Sequence, residues 1–172
     1  MPAEKKKLCF VLMPFKDELK EVYWQAIKPA CDQASFLSLR VDELKGTFNI
    51  NRKIIEHIFK SDAIVADLTE WNPNVFYEMG VAHAIDNKTI MIIQKQDKLP
   101  FDVSTYRFIL YEQAEAGLAK LREDIAESLL SLDEWRKHPT NPVQDFKPDH
   151  AFIPKSVWHK SEKELRKKEE LI

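Results

Sequence analysis

Glycine is scarce in this 172-residue chain, and its positions exclude several common motifs of nucleotide-binding proteins and hydrolases. The three glycines, Gly46, Gly80 and Gly117, lie far apart. Both the phosphate loop of P-loop enzymes and the G-x-G-x-x-G turn of dinucleotide-binding domains need glycines close together, as does the G-x-S-x-G turn of serine hydrolases. None of these three motifs is therefore present.

Cysteine is nearly as rare. Cys9 and Cys31 both lie in apolar segments, and neither has a second cysteine nearby in the sequence. This pattern is atypical of a disulfide framework or a zinc site. It predicts a reducing, cytoplasmic environment. The histidines show no ligand spacing, so we expect no metal site, and we also expect no cofactor.

An excess of charge and long apolar runs are also missing. The 26 basic and 28 acidic side chains give a formal net charge of −2, so there is no general positive field to attract a polyanion. No apolar run approaches the roughly 18 residues that a membrane span needs. We therefore expect neither duplex nucleic acid nor a membrane as a partner.

Short apolar segments predict a parallel sheet. Near-continuous apolar runs occur at residues 8–13, 63–66, 89–93 and 108–111, and such runs are typical of strands covered on both faces. The segment 36–41 instead alternates, with Ser38 and Arg40 on the side opposite its leucines, which favours an edge strand.

Helical patterns lie between these strands. Apolar residues recur at helical spacing in residues 19–34, 50–59 and 118–132. Asn72 and Pro73 are a favoured start for a further helix that runs to about residue 86. This alternation predicts an α/β three-layer sandwich with a five-stranded, mainly parallel sheet. Right-handed crossovers give the strand order 2-1-3-4-5, with a ligand site at the carboxyl ends of strands 1 and 3.

The composition divides the chain into three parts. Residues 1–7 are predicted to be a disordered tail, 8–132 the α/β domain, and 133–172 a C-terminal extension that is interrupted by prolines and ends in a lysine- and glutamate-rich run. Aromatic side chains in the extension either anchor a neighbouring copy in a homo-oligomer or pack within the chain; they are Trp135, Phe146, Phe152 and Trp158.

Polar side chains gather at the predicted carboxyl edge of the sheet. Asp67 ends the third strand, and Glu78 shares a helical face with Asn74 and leans towards the helix start. Apolar neighbours predict that Glu78 lies in a largely buried helix, where a carboxylate needs a purpose or a partner. The free N–H groups and dipole at the helix start favour an ionised Glu78 and a bound hydroxyl or phosphate. The alternatives are a solvated surface glutamate and an aspartate that only supports its loop.

Three strings resemble the nucleoside 2-deoxyribosyltransferase-like family and, more distantly, TIR domains. They are Phe-Val-Leu-Met-Pro-Phe at 10–15, Ala-Asp-Leu-Thr at 66–69 and Asn-Pro-Asn-Val-Phe-Tyr-Glu-Met-Gly at 72–80. The resemblance spans about residues 8 to 112 and implies a flavodoxin-like or TIR-like fold. It also implies cleavage or transfer at the N-glycosidic bond of a nucleoside, nucleotide or NAD-like substrate, with Glu78 as the nucleophile or key carboxylate.

The same resemblance suggests roles for the residues around Glu78. Asp67 is the nearest acidic candidate to protonate the leaving base. Asn72 or Asn74 is a candidate to orient the base or the sugar hydroxyls. Pro14 and Phe15 resemble the family's first-strand loop, where an aromatic ring stacks on the base, although simple packing explains Phe15 equally well.

Two further acidic residues are candidates to contact substrate. Asp42 follows the edge strand at the correct end of the sheet and would reach ribose hydroxyls, and Asp102 lies in a loop that resembles a family element. A polar turn explains either residue without a function.

One departure from the family pattern concerns Asn72, because the transferases usually carry an aspartate about six positions before the glutamate. An amide cannot act as a general acid, so the departure affects base transfer more than glycosidic cleavage. The alternative to an enzyme is a non-catalytic module that uses the same cleft to sense a nucleotide, or that self-associates as TIR domains do.

Overall fold

The sheet at the centre of the molecule has five parallel strands in the order β2-β1-β3-β4-β5. The computed structural model describes residues 6–43, 50–86 and 88–146. The strands are β1 Lys7–Leu12, β2 Phe36–Arg40, β3 Ala63–Asp67, β4 Thr89–Gln94 and β5 Phe108–Tyr111. The predicted α/β fold and strand order are confirmed. Of the predicted N-terminal tail, residues 1–5 lie outside the described residues, and Lys7 belongs to β1.

Helices cover both faces of the sheet. They are α1 Lys28–Gln33, α2 Ile50–Lys60, α3 Pro73–Ile85, α4 Glu115–Leu130, α5 Leu132–Trp135 and α6 Pro142–Phe146. One face is covered by α1 and α4, which pack together, and the other by α2 and α3. Within the three described ranges, no helix combines the length and the apolar character that crossing a bilayer would require.

The alternation of side chains along β3 decides which layer each residue joins. Val65 packs in the core beneath α1 and α4, whereas Ala66 packs in the core beneath α2 and α3. Asp67 is two residues after Val65 and therefore points to the α1 and α4 side, where it meets Tyr111 of β5. The same alternation holds in β1, where Val11 faces α1 and Leu12 faces α2.

The helix predicted over residues 19–34 is not a single regular helix. Residues Val22–Ile27 form wider π-helical turns, and α1 begins only at Lys28. Pro29 near the start of α1 has no N–H to donate to the carbonyl of Gln25, four residues earlier. The helix widens at this point, as helices do where the regular hydrogen-bond ladder is interrupted.

The edge strand β2 buries its polar side. Leu37 is 55% exposed, whereas Ser38 and Arg40 are 6% and 7% exposed. The hydroxyl of Tyr23 lies 3.3 Å from the Ser38 hydroxyl, and the Arg40 guanidinium stacks 4.6 Å from the Tyr23 ring centre. The predicted edge position of β2 is correct, and hydrogen bonding to Tyr23 explains why its polar side faces inward.

The described part of the C-terminal extension packs on the core. The side-chain amide of Gln144 donates to the carbonyl of His83 at 2.7 Å, and the Arg136 guanidinium donates to the carbonyl of Asp62 at 2.6 Å. Trp135 packs against the core beneath α4, and the Arg107 guanidinium lies 4.6 Å from the centre of its ring. The rest of the predicted extension, residues 147–172, lies outside the described residues.

Candidate active site

A cleft of about 1080 Å³ lies at the carboxyl ends of β1 and β2 and continues between α2 and α3. This volume is slightly above the usual range for small-molecule sites, about 300–1,000 Å³. The described residues that line it are Met13, Pro14, Phe15, Val41, Ile50, Asn51, Arg52, Ile54, Ile55, Glu56, Phe59, Lys60, Asn72, Asn74, Val75, Tyr77 and Glu78. The cleft therefore has an apolar floor and a ring of polar and aromatic side chains.

Glu78 is a partly buried carboxylate on the α3 side of the cleft. Over the ranges 6–43, 50–86 and 88–146, its side chain has no hydrogen-bond or ion-pair partner. Burial raises the pKa of Glu78 to about 7, because the charged carboxylate loses hydration without gaining a partner. At neutral pH the group is thus close to the midpoint of its titration.

The start of α3 is held by its own cap. The Asn72 side-chain oxygen accepts hydrogen bonds from the N–H groups of Asn74 at 3.0 Å and Val75 at 3.4 Å, and the Asn72 carbonyl accepts from the N–H of Phe76 at 3.1 Å. Pro73 has no N–H to offer. The expectation that the N–H groups at this helix start are free is therefore wrong.

The expected effect of the helix dipole on Glu78 is also wrong. Burial raises the pKa of Glu78, so the ionised form is not favoured overall; the dipole acts mainly on groups in the first turn. Glu78 lies in the second turn of α3, where loss of hydration dominates.

Replacing Asn72 with alanine is expected to reduce the free energy of unfolding by about 1 kcal/mol, since the N–H groups of Asn74 and Val75 lose their acceptor. Asn72→Asp keeps an acceptor oxygen at this position and is expected to be nearly neutral. Urea denaturation of both variants measures the difference. Equal stability of Asn72→Ala and wild type would show that the cap contributes nothing.

The structure brings several of the predicted site residues together. Asn72, Asn74 and Glu78 of the α3 segment share the cleft with Pro14 and Phe15 of the loop after β1. Pro14 is buried, whereas the Phe15 ring is 64% exposed. An exposed aromatic ring beside a cleft is available to stack on a planar ligand.

Asp67 is not brought to the cleft. It is completely buried, and it accepts hydrogen bonds from the hydroxyls of Thr69 at 2.5 Å and Tyr111 at 2.9 Å. Burial raises its pKa to about 6, and these hydrogen bonds limit the rise. Because strand alternation turns Asp67 to the α1 and α4 face, a sheet layer separates its carboxylate from Glu78.

Asp42 and Asp102 do not line the described part of the cleft either. Asp42 is exposed, and its carboxylate accepts a hydrogen bond from the Nε of Arg40 at 2.6 Å. Asp102 is exposed in the helical turn Phe101–Val103. Asp42 lies two residues after the end of β2, and Asp102 lies in the connection between β4 and β5.

Comparisons with known proteins provide little independent information on activity. A scan against protein-family models and a search of curated proteins found no match. Among solved structures, the chain is similar to a 2-desoxiribosyltransferase from Leishmania mexicana, with 25% identity, a TM-score of 0.45, and coverage of 65% of this chain and 76% of that chain. A functional assignment must therefore depend on the residues of the cleft.

The α2 wall of the cleft supplies residues that the sequence patterns did not single out. Ile54 and Ile58 pack in the core, and Ile54 also lines the cleft together with the partly buried Ile55 and Phe59. The signal was the width of the apolar stripe on α2, which exceeds what packing against the sheet requires. Part of that stripe forms the cleft wall.

Two glutamates line this cleft with opposite pKa shifts. The Arg52 guanidinium, 3.0 Å from the Glu56 carboxylate, lowers the pKa of Glu56 below its usual range. Burial raises the pKa of Glu78. Glu56 is thus ionised at neutral pH and Glu78 only partly so, and such a divergence often accompanies different chemical roles.

Acidic, cysteine and histidine side chains do not form a metal site in the part of the chain that the structure describes, where no three of them are grouped to hold an ion. The chemistry that the cleft offers is that of a partly buried carboxylate beside an amide, Asn74, and an exposed aromatic ring, Phe15. Such a carboxylate can stabilise a developing positive charge or form an ester with an electrophilic carbon.

Proposed function

We propose that the protein cleaves the N-glycosidic bond of a nucleoside or nucleotide, or transfers its glycosyl group, with Glu78 as the carboxylate at the reacting carbon. The observation that carries the proposal is the Glu78 side chain itself. It is partly buried in a cleft of nucleotide size, and no described group compensates its charge. A carboxylate held at this energetic disadvantage is typical of a functional site.

The reaction creates a positive charge that the Glu78 carboxylate can stabilise. As the bond between C1′ and the base nitrogen breaks, its electron pair leaves with the base, and C1′ and the ring oxygen share a positive charge. The ionised Glu78 either stabilises this cation or bonds to C1′ as a glycosyl ester. Water or a second base then displaces the carboxylate and completes hydrolysis or transfer.

The remaining cleft residues fit recognition of the two halves of the substrate. The exposed Phe15 ring provides a surface on which a base stacks. The side-chain amide of Asn74 is exposed beside Glu78 and is available to hydrogen-bond a sugar hydroxyl or the base. Asp67 is too deeply buried to protonate the leaving base. We therefore infer that the base takes its proton from water or from a group on the substrate itself.

The direct test is release of free base. Purified protein is incubated with 2′-deoxynucleosides, ribonucleosides, nucleoside monophosphates and NAD, and the base is separated by chromatography. The shift in melting temperature with each compound is measured in parallel to detect binding. Base release from at least one compound supports the proposal. Stabilisation by a compound that is never cleaved would instead favour a nucleotide-sensing module.

The pH dependence of kcat/KM identifies the protonation state of Glu78 that reacts. Because only the ionised carboxylate stabilises the cation, we expect kcat/KM to rise with pH, with a midpoint near the raised pKa of about 7, and to level off above it. Initial rates between pH 5 and 9 measure the profile. A fall above pH 7 would contradict this role and would make the protonated Glu78 the active form.

A further inference from the structure

A buried hydrogen-bond network ties the carboxyl ends of β3, β4 and β5 together on the face of the sheet opposite the cleft. The Asp67 carboxylate accepts from the Thr69 N–H at 3.1 Å as well as from the Thr69 and Tyr111 hydroxyls. The two hydroxyls lie 3.1 Å from each other, and the Gln94 N–H donates to the Thr69 hydroxyl at 3.2 Å. Each of these residues is at most 7% exposed.

The network holds the first residue of an unusual turn. Directly after Thr69, Glu70 and Trp71 adopt φ angles of 59° and 55°, in the left-handed region that non-glycine residues seldom occupy. Two successive residues of this kind persist only where surrounding contacts determine the backbone. On the far side of the turn, the Glu70 N–H donates to the Asp97 carboxylate at 2.9 Å, and the Trp71 indole donates to the Lys98 carbonyl at 2.9 Å.

This turn leads directly into the helix that carries Glu78. Asn72 follows Trp71 and caps α3, so the direction in which the turn leaves the sheet decides where the helix begins. An α-helix is nearly rigid over its first two turns. A change in the turn at Thr69 would therefore move the Glu78 carboxylate within the cleft without any contact between the two residues.

We propose that Asp67, Thr69 and Tyr111 are positioning residues that hold the β3–α3 turn and thereby set the place of the Glu78 carboxylate. The expected change in kcat rests on the proposed function of Glu78. The expected change in the β3–α3 turn can be tested without it. In this proposal the buried Asp67 helps to fix the position of Glu78 and does not transfer a proton.

The test removes one hydroxyl from the network. Tyr111→Phe keeps the buried ring and deletes the donor to Asp67, whereas Tyr106→Phe deletes a tyrosine hydroxyl that bonds Asp145 at 2.8 Å, away from the cleft, and serves as the matched control. Three measurements are made on both variants: steady-state kinetics of base release, which gives kcat and KM; the pH midpoint of kcat/KM; and backbone amide exchange of the described residues. All assays are run well below the melting temperature.

For Tyr111→Phe we expect a fall in kcat of about tenfold with KM changed less than about threefold, since misplacement of a reacting group reduces rate more than binding. The pH midpoint should move towards the ordinary value of glutamate, because a loosened helix start admits water to Glu78. Amide exchange should accelerate at residues 68–78 and remain unchanged in β1. Tyr106→Phe should match wild type in all three measurements.

A second pair of variants keeps the inference falsifiable if Tyr111→Phe folds poorly. Thr69→Val removes the hydroxyl at nearly constant volume, and Thr69→Ser retains it. Recovery of most of the activity in Thr69→Ser, relative to Thr69→Val, supports positioning by the hydroxyl. Equal losses in both variants would overturn it.

The outcomes also separate this inference from the proposed function. If wild type releases no base from any compound, the proposed function fails, and faster exchange confined to residues 68–78 in Tyr111→Phe still supports positioning of the turn. Unchanged exchange and unchanged kcat in Tyr111→Phe would overturn the inference. Faster exchange throughout the sheet would also overturn it, because the network would then act on overall stability.

Discussion

Glu78→Gln is expected to reduce kcat/KM for base release by on the order of 10³-fold or more, as removal of a group that stabilises transition-state charge does in other enzymes. The substitution keeps the length and nearly the shape of the side chain and removes the negative charge. An amide cannot compensate a cationic sugar, nor can it form the glycosyl ester. Binding of substrate should change far less than kcat, because the stacking and hydrogen-bonding groups of the cleft remain.

The matched control for this loss is Glu123→Gln. Glu123 is an exposed glutamate on α4, on the other face of the sheet, so its substitution makes the same chemical change away from the cleft. Base release is followed by chromatography for wild type and both variants, after circular dichroism has shown that each is folded. Retention of more than a fifth of wild-type activity in Glu78→Gln would rule out the proposed role.

Glu78→Gln is also expected to stabilise the folded protein at alkaline pH by about 2 kcal/mol. The pKa of Glu78 is about 7 in the folded state, above the ordinary value of 4.5 that the unfolded chain shows. The shift sets an upper limit of about 3 kcal/mol, which water around the partly exposed carboxylate reduces to about 2 kcal/mol.

The sign of this effect follows from proton binding. Between pH 4.5 and 7 the folded state holds the Glu78 proton more tightly than the unfolded state does, so the wild-type protein loses stability from this group as the pH rises through that window. Glutamine does not titrate and avoids the loss. The variant should therefore match wild type near pH 4 and exceed it increasingly up to pH 8.

Urea denaturation of wild type and Glu78→Gln at pH 4, 6 and 8 measures this difference. Taking the difference between the two proteins at each pH removes the contribution of other titrating groups, such as His83, whose pKa burial lowers to about 4. A difference that does not change with pH would mean that the cleft does not perturb Glu78. A variant that loses activity while gaining stability is the signature of a functional carboxylate.

Much of the fold could be predicted from local patterns. The buried strands were recognisable because parallel strands covered on both faces consist almost wholly of apolar residues. Asn72 and Pro73 indicated the start of α3, and the Asn72 side chain does cap that helix. Both signals depend on residues close together in the chain, which is why they were accurate.

Features that depend on contacts distant in sequence could not be predicted in this way. The buried polar side of β2 is explained by Tyr23, which lies 15 residues before Ser38. The left-handed residues Glu70 and Trp71 have no clear periodic signature. In each case the backbone or side chain adopts a locally unfavourable arrangement that partners from other elements stabilise.

The amino-acid sequence by itself determined the α/β class, the strand order and the helix that carries Glu78, because hydrophobic periodicity and helix capping are local properties of the chain. Only the tertiary structure decided which polar residues share a site. Glu78 and Asp67 are eleven positions apart, yet the alternation of β3 sends Asp67 to the other face of the sheet, where Tyr111 of β5 binds it. The environment of a carboxylate, and hence its pKa and reactivity, is a property of the packed layers around it.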